Sequence, residues 1–397
     1  MIIEPNIRSN FFTNAHPLGC RQNVLNQINE AKALHTFEGP KNVLIIGGSS
    51  GYGLATRIAL AYGSNSNTIN VSFENKPKGS KTGSAGWWNN IYFQEFAKET
   101  NQTHKDFVGD AFSSEMKQNV INYIKEDLGG IDLVIYSLAS GGRMNYETNE
   151  LVRSHIKTLG EDAVGKTIDV VSKEIYNLTL TQGSEQDIKD TVYVMGGSDW
   201  YAWMLALDHA KLLNKYVKTL SYTYIGGPTT VKIYRGGTLG KAKEDLEKHA
   251  AMIDVLLKDK YQGEAAISSS KAVTTKASVF IPQMTIYVSC LYEVMKKHGV
   301  HESILAHKHR LFSEMVYGNK RIVDDQNRIR LDHLEMESHI QKETVEMMTT
   351  LSNDELLQLH GTKIFLRDFY QINGFEFDSI DYSKDVDLKT LAKQLPK

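Results

Sequence analysis

Tyr234 and Lys243 are two side chains with acid–base chemistry that are separated by eight residues, in the segment "VKIYRGGTLGKAK" at positions 231–243. A tyrosine can protonate an oxygen on which charge develops, and a nearby lysine can favour the ionised phenol and hold a cofactor ribose. On a continuous helix the two side chains would lie on opposite faces, and on a continuous strand they would be about 30 Å apart. The pair can meet only if the chain turns between them, and three intervening glycines make that turn sterically easy.

A second tyrosine and lysine, Tyr292 and Lys296, have the Tyr-x-x-x-Lys spacing that short-chain dehydrogenases place on one helix face. They lie at the end of an apolar segment, where packing of the tyrosine and solvation of the lysine are the expected roles. Tyr234, in contrast, follows a predicted strand, and Lys243 falls in the first turns of the next predicted helix. We therefore expect Tyr234 to be the proton donor; a carbonyl reductase that uses Tyr292 and Lys296 is the competing interpretation.

A glycine-rich loop follows the apolar run at 42–46. Gly47, Gly51 and Gly53 have the spacing G-x-x-x-G-x-G, and an amphipathic pattern begins at the last of them. A pyrophosphate must approach backbone N–H groups at a helix N-terminus closely, where side chains would obstruct it and the helix dipole favours negative charge. In this strand–turn–helix context the loop predicts dinucleotide binding.

An acidic residue, Glu74, ends the next predicted strand. Its carboxylate can accept hydrogen bonds from the ribose hydroxyls and would repel a 2′-phosphate, which favours NADH over NADPH. Lys76 and Lys78 stand close enough in sequence to compensate for that repulsion. Asp110 and the segment 137–140 follow two further strands, where such sheets contact adenine and the nicotinamide ribose; Asp110 is also expected to cap the next helix.

Short apolar runs alternate with helical patterns along the first half of the chain, which predicts an α/β, Rossmann-like, doubly wound parallel sheet. The predicted strands are residues 42–46, 68–73, 104–109, 131–137, 217–226 and 263–274. The predicted helices are residues 53–62, 90–99, 113–129, one beginning near Leu239 and a buried one over 277–292. We expect a single large domain over 1–397, with an NADH-binding half (1–140), a catalytic part with inserted substrate loops at 141–190 (141–320) and a helical C-terminal extension (321–397).

The composition excludes several classes of function. With 41% hydrophobic and 23% charged residues and a net charge of −2, the chain has no global drive toward nucleic acid or anionic membranes. Its apolar segment at 277–292 is shorter than the roughly 20 residues that span a bilayer. The two cysteines, the absence of a secretion-signal pattern at the start and the absence of a zinc-binding motif favour a cytoplasmic protein without a metal.

These motifs together resemble the FabV and trans-2-enoyl-CoA reductase family, whose members are NADH-dependent enoyl-thioester reductases related to short-chain dehydrogenases but carrying Tyr-x8-Lys. The resemblance rests on "MIIEPNIRSN", "HPLGC", "GGSSGYGLATRIA", "VSFE", "GDAFS", "DLVIYSLAS", "VMGGSDW", "SYTYIG", "IYRGGTLGKAKEDL" and "VTTKASVFIP". It implies that NADH reduces the 2,3 double bond of an enoyl thioester, with Tyr234 as proton donor, Lys243 as its cofactor-binding partner and Tyr224 as a substrate contact. The NADH contacts that it implies are Gly47, Gly48, Ser49, Ser50, Gly51, Tyr52, Phe73, Glu74, Asp110, Ala111, Leu138, Ala139, Ala272, Val273 and Thr274.

Some properties stay open at this stage. Acyl carrier protein and coenzyme A present the same pantetheine arm; we favour the carrier-protein substrate of fatty acid elongation, with short-chain coenzyme A thioesters as the alternative. A non-catalytic NAD(H) sensor is a further alternative, and a monomer or weak homodimer is the expected assembly. The chain departs from the family at Gly141 and Gly142, where a proline is usual, which puts the shape of the substrate pocket in doubt.

Overall fold

The computed structural model describes residues 1–8, 10–276 and 278–393. In chain order its strands are β1 (Ile7–Arg8), β2 (Phe11–Phe12), β3 (Asn42–Ile46), β4 (Asn67–Ser72), β5 (His104–Val108), β6 (Ile131–Tyr136), β7 (Gly142–Asn145), β8 (Glu150–Arg153), β9 (Ala163–Ile168), β10 (Ile175–Leu180), β11 (Leu213–Thr223), β12 (Glu264–Ser269) and β13 (Ile329–Arg330). Its helices are α1 (Pro17–Ala33), α2 (Gly51–Gly63), α3 (Ala85–Ala97), α4 (Ser114–Tyr123), α5 (Glu185–Met195), α6 (Ser198–His209), α7 (Val231–Tyr234), α8 (Thr238–Tyr261), α9 (Met284–Lys297), α10 (Ile304–Arg310), α11 (Ser338–Thr350), α12 (Asn353–Gln358), α13 (His360–Gln371) and α14 (Leu388–Lys393).

The central sheet has seven parallel strands in the order β13-β12-β11-β6-β3-β4-β5. Every residue of β3, "NVLII", is buried, because helices cover both faces of the sheet. The chain order reverses between β3 and β6, so the crevice at their carboxyl ends is the place where doubly wound sheets bind ligands. The predicted Rossmann-like fold is therefore confirmed.

Helices form a layer on each face of the sheet. On one face α4, α6 and α8 pack through buried side chains such as Val120, Trp203 and Leu246. On the other side α1, α2, α3, α9 and α13 enclose the largest core cluster, which includes Trp88 and Phe365. The helical C-terminal region is thus part of the core, and among the described residues no helix has both the length and the apolar character needed to cross a membrane.

The strand predictions are most accurate where the apolar run is continuous. β3 has the predicted bounds, β5 and β6 each end one residue earlier than predicted, and β4 begins and ends one residue earlier. β11 begins at Leu213 and ends at Thr223, earlier than predicted. β12 ends at Ser269 rather than 274. The Ser270 N–H still donates to the Thr223 carbonyl oxygen of β11, but the N–H groups of Lys271 and Ala272 donate to side chains.

Each predicted helix is present, but some begin or end at residues other than those predicted. α3 begins at Ala85 rather than 90, and α4 ends at Tyr123, with a π-helical turn continuing to Leu128. α8 begins at Thr238, one residue from the predicted start. α9 is the predicted buried apolar helix, but it begins at Met284, and Ala277 lies outside the described residues.

The segment predicted as substrate loops contains regular structure. β7 pairs with β8 and β9 with β10, each as an isolated antiparallel ribbon, and α5 follows them. Many of the ribbon residues are exposed or half-buried, so no alternation of buried and exposed positions marked them in the sequence. Gly142 opens β7, and a Cβ at Gly141 would meet no atom within 4 Å. The division into parts at 140 and 320 stays a prediction.

Candidate active site

The glycine-rich loop between β3 and α2 has the backbone that the sequence predicted. Gly47 and Gly51 have φ values of 97° and 54°, a region that glycine adopts readily. A Cβ at Gly47 would lie 2.4 Å from the Ser137 carbonyl oxygen, and one at Gly53 would lie 2.0 Å from the Gly47 carbonyl oxygen. The loop therefore presents bare backbone at the N-terminus of α2, as a bound pyrophosphate requires.

A buried polar network holds this loop from behind. The Gly48 backbone N–H donates to Asn70 Oδ1 at 2.8 Å, and Asn70 Nδ2 donates to Asp106 at 2.8 Å. Arg57, which is fully buried in α2, donates two hydrogen bonds to Asp106, at 2.7 and 3.2 Å. Sequence reasoning missed this network, although a single arginine within the apolar pattern of α2 was a visible signal.

The predicted adenosine contacts lie at the end of β4. Ser49 Oγ donates to Glu74 Oε1 at 2.6 Å, so the acid stands directly beside the phosphate loop. Phe73 is 75% exposed, and an exposed ring at this edge offers a stacking surface to a purine. The exposed ring, the adjacent carboxylate and the glycine cradle fit NADH.

Asp110 faces the same edge but does not cap α4 as predicted. Its Oδ2 accepts a hydrogen bond from the Tyr146 hydroxyl at 2.6 Å, and its Oδ1 accepts one from the Phe112 backbone N–H at 2.9 Å. The cap of α4 is Ser113, whose side chain accepts a hydrogen bond from the Met116 backbone N–H, the third residue of the helix. Asp110 instead closes the tight turn before that cap.

The remaining predicted cofactor contacts lie at the carboxyl ends of β5, β6 and β12. Ala111 is buried, whereas Leu138 is half-buried and Ala139 is exposed. The three residues 272–274 are all buried. The Tyr52 hydroxyl donates to the Lys271 carbonyl oxygen at 2.6 Å, so the fold brings the segment after β12 against the start of α2.

Tyr234 ends the single helical turn α7, where its ring contacts another predicted site residue. The rings of Tyr224 and Tyr234 meet edge to face, with centroids 4.6 Å apart. Burial, and to a smaller extent the charge of Glu335, raises the pKa of Tyr234 above its ordinary value, so the phenol keeps its proton at neutral pH. Within the part of the chain that the structure describes, no hydrogen bond reaches the Tyr234 hydroxyl.

Lys243 lies in the second turn of α8, half-buried. Burial lowers the pKa of Lys243 to about 8, opposed by the charge of Glu247 and assisted by that of Arg235. The chain does turn between α7 and α8, as predicted, but the glycines there serve close packing. A Cβ at Gly237 would lie 2.6 Å from the Lys157 carbonyl oxygen, and neither it nor the neighbouring glycines has a positive φ. The convergence of Tyr234 and Lys243 on a cofactor stays a prediction.

The competing pair, Tyr292 and Lys296, has a different environment. Tyr292 is 2% exposed, and its hydroxyl oxygen accepts a hydrogen bond from the Thr274 backbone N–H at 3.0 Å. Lys296, one turn further along α9, is exposed to solvent. A buried phenol engaged with the backbone and a solvated ammonium do not form a catalytic pair, so the geometry disfavours this alternative.

One group of residues in the site had no signal in the sequence. Glu335 is fully buried and accepts hydrogen bonds from the hydroxyls of Tyr287, at 2.7 Å, and Tyr224, at 3.2 Å. Burial raises the pKa of Glu335, while hydrogen bonds from Tyr287 and the Ala272 backbone oppose that shift.

Among the described residues, no group of three or more histidine, cysteine, aspartate or glutamate side chains could hold a metal ion.

The doubly wound parallel sheet and the bare glycine loop at its switch point define a dinucleotide-binding protein of the Rossmann class. The family model described as the trans-2-enoyl-CoA reductase catalytic region matches residues 81–317, and the one described as the NAD(P)H binding domain of trans-2-enoyl-CoA reductase matches residues 2–79. The chain belongs to the trans-2-enoyl-CoA reductase family, as the resemblance of its motifs implied.

Relatives at the same level of identity carry two different names. The trans-2-enoyl-CoA reductase (NADH) of Clostridium acetobutylicum is 43% identical over 398 residues, covering 100% of both chains. A Photobacterium profundum protein named enoyl-acyl-carrier-protein reductase (NADH) 2 is also 43% identical, covering 99% of both chains. A crystal structure of the Clostridium acetobutylicum enzyme in complex with NADH matches the fold with a TM-score of 0.96 over 100% of each chain.

A third family model, described as an enoyl reductase FAD binding domain, matches residues 323–386. Both glycines of this segment are used in packing. A Cβ at Gly361 would lie 2.0 Å from the Ser289 carbonyl oxygen of α9, and one at Gly374 would lie 2.3 Å from the His16 carbonyl oxygen. The segment thus has no open glycine cradle for a nucleotide, and its residues do not fit a flavin.

Proposed function

We propose that the protein reduces the 2,3 double bond of trans-2-enoyl thioesters with NADH. The observation that carries this proposal is the Tyr224–Tyr234 ring pair, within a fold that also presents a glycine cradle suited to NADH and that belongs along its length to the trans-2-enoyl-CoA reductase family. When bound, NADH supplies the hydride, and the chain must supply the proton and the binding surfaces.

Three side chains carry the proposed chemistry. Tyr234 is the proton donor: its pKa is raised by burial and no described residue engages its hydroxyl, so its proton is available to the thioester oxygen as charge develops there. Tyr224, whose ring touches that of Tyr234, is the proposed substrate contact through its ring, because its hydroxyl proton is donated to Glu335. Lys243 holds the cofactor ribose through its ammonium, which is protonated at neutral pH.

The proposed NADH site runs from the phosphate loop to the segment after β12. The glycine loop holds the pyrophosphate, and Glu74 accepts hydrogen bonds from the adenosine ribose. The contacts that complete it are Gly47, Gly48, Ser49, Ser50, Gly51, Tyr52, Phe73, Asp110, Ala111, Leu138, Ala139, Ala272, Val273 and Thr274. The acid at position 74 supports NADH over NADPH, because a 2′-phosphate beside it would be repelled.

The preferred carrier of the acyl group is acyl carrier protein, which would place the reaction at the last step of the fatty acid elongation cycle. The second candidate is a short-chain coenzyme A thioester, which the name of the 43% identical Clostridium acetobutylicum relative supports. Our proposal includes a cytoplasmic location and a monomer or weak homodimer.

The test is to mix the purified protein with NADH and crotonyl thioesters of acyl carrier protein and of coenzyme A, and to follow NADH absorbance. Oxidation of NADH with either thioester, and a much smaller rate with NADPH, is the expected result. A preference of tenfold or more for the coenzyme A thioester would select the second candidate. Binding of NADH without turnover of either thioester would overturn the proposal and favour the sensor.

A further inference from the structure

Glu335 reaches the proposed site from the C-terminal region, just after a 3-10 turn at Leu331–Leu334. Its side chain is fully buried, yet its partners are 48 to 111 residues away in the sequence. Burying a carboxylate costs free energy unless hydrogen bonds satisfy it, and the Glu335 carboxylate accepts three of them.

Three hydrogen bonds fix the direction of the carboxylate. Oε1 accepts from the Tyr287 hydroxyl at 2.7 Å and from the Tyr224 hydroxyl at 3.2 Å, and Oε2 accepts from the Ala272 backbone N–H at 2.5 Å. Gln341 adds a further restraint, donating to the Glu335 carbonyl oxygen at 2.8 Å and to the Tyr287 hydroxyl at 2.9 Å. The Tyr224 hydroxyl is therefore directed at a rigid acceptor.

The same carboxylate acts on Tyr234 through the Tyr224 ring. That ring meets the Tyr234 ring edge to face at 4.6 Å, so a change in the orientation of Tyr224 would displace the proposed proton donor. The charge of Glu335 also adds to burial in raising the pKa of both tyrosines. The charged groups that face Glu335 itself are Asp332 and the buried Lys271.

We propose that Glu335 is a positioning residue for the reduction: it orients the Tyr224 hydroxyl toward itself and, through the Tyr224 ring, holds the Tyr234 phenol in place for proton transfer. This inference rests on the proposed function. Residue 335 lies within 323–386, the region matched by the family model described as an enoyl reductase FAD binding domain. The inference therefore gives this region a part in the reductase site.

The test uses Glu335→Gln, which keeps the side-chain volume. The amide oxygen can still accept from the Ala272 N–H, while its NH2 group faces the tyrosines and can no longer accept the Tyr224 proton. We expect kcat on crotonyl-CoA to fall about tenfold, with the Kd of NADH, measured by its fluorescence, within about twofold of the unmodified protein. Asp332→Asn is the matched control, a buried acid on the same turn that bonds Ser269 and Arg330 instead of tyrosines.

Double variants separate positioning from general stability. In a Tyr224→Phe background, Glu335→Gln should lower kcat by less than about twofold, because the hydroxyl that it orients is already absent. In a Tyr287→Phe background most of the loss should persist, because the Tyr224 hydroxyl remains for the carboxylate to orient. An equal loss in both backgrounds, or an active protein whose kcat is unchanged by Glu335→Gln, would overturn the inference.

A readout without turnover distinguishes this inference from the proposed function. With 3-fluorotyrosine incorporated, the fluorine resonances of Tyr224 and Tyr234 can be assigned by their loss in the corresponding phenylalanine variants. Both resonances should shift clearly more in Glu335→Gln than in Asp332→Asn, which removes a charge facing Glu335 but none of its hydrogen bonds to the tyrosines. Unshifted resonances would overturn the positioning role whichever substrate the protein uses, whereas an inactive unmodified protein with shifted resonances would overturn only the proposed function.

Discussion

Two tyrosine–lysine pairs in this chain differ in spacing and, more importantly, in environment. Tyr292 and Lys296 have the familiar three-residue spacing, but one side chain is buried against the backbone of residue 274 and the other is in water. Tyr234 and Lys243 lie on two different helices, and both side chains are half-buried and make no hydrogen bond among the described residues. Spacing on one helix face therefore does not single out the reactive pair, and we propose that the unengaged phenol of Tyr234 is the reactive one.

The most direct test of this comparison is to remove each tyrosine hydroxyl in turn. Tyr234→Phe should lower kcat for crotonyl thioesters about 10²–10⁴-fold, the usual range for a lost general acid, and leave NADH binding intact. Tyr292→Phe should keep kcat within about tenfold, since its hydroxyl faces the protein backbone. Steady-state NADH oxidation measures both, and the reverse ranking would show that the wrong tyrosine has been assigned.

The two lysines give the next largest contrast. Lys243→Ala should raise the Kd of NADH about 10–100-fold, because a hydrogen bond from a charged group is worth about 1.5–3 kcal/mol. Lys296→Ala should change that Kd by less than about twofold, because its side chain is solvated. NADH fluorescence titration tests both variants, and equal effects would contradict the proposed role of Lys243.

The environment of Lys243 also predicts a pH dependence that an exposed lysine would not show. Because burial lowers the pKa of Lys243 to about 8, its ammonium is present below that pH and is lost as the pH rises through it. If the ammonium binds the cofactor, the Kd of NADH should rise about tenfold between about pH 7 and about pH 9. Lys243→Arg keeps its charge over this range and should give a flat profile; a steep profile in that variant would assign the titration to another group.

The last prediction has the smallest expected effect on activity. It tests the structural role of Tyr292 through the stability of the protein. Tyr292→Phe leaves the buried Thr274 N–H without its acceptor, which should lower the free energy of unfolding by about 1–3 kcal/mol. Guanidinium titration measures this change. Unaltered stability together with lost turnover would mean that the Tyr292 hydroxyl serves chemistry after all.

The sequence was sufficient to predict six of the seven strands of the central sheet, whereas the two-residue strand β13 was not predicted. Buried parallel strands are continuous apolar runs, and β3 and β6 stand out for that reason. The phosphate loop was also predictable, because only glycine adopts the backbone of Gly47 and Gly51 readily. The two ribbons β7–β8 and β9–β10 were not, since an exposed two-stranded ribbon buries too little on either face to create an alternating pattern.

Side-chain partners from distant parts of the chain were beyond sequence reasoning. The segment after β12 looked like a continuing strand, yet its N–H groups bond to His307, Glu335 and Tyr292. Each acceptor lies at least 18 residues further along the sequence than the N–H group that donates to it. The same holds for Arg57 and Asp106, whose ion pair supports the phosphate loop.

Local chemistry by itself indicated the glycine loop and Glu74 as a dinucleotide site, and Tyr234 and Lys243 as a pair joined by a glycine turn; the other cofactor contacts were implied only by the family resemblance. Backbone conformation and hydrophobic periodicity act between near neighbours, so a single sequence records them. Tertiary structure decided which phenol is left unengaged and which carboxylate is buried beside it, because burial and hydrogen bonding depend on atoms that the chain brings together only when it folds.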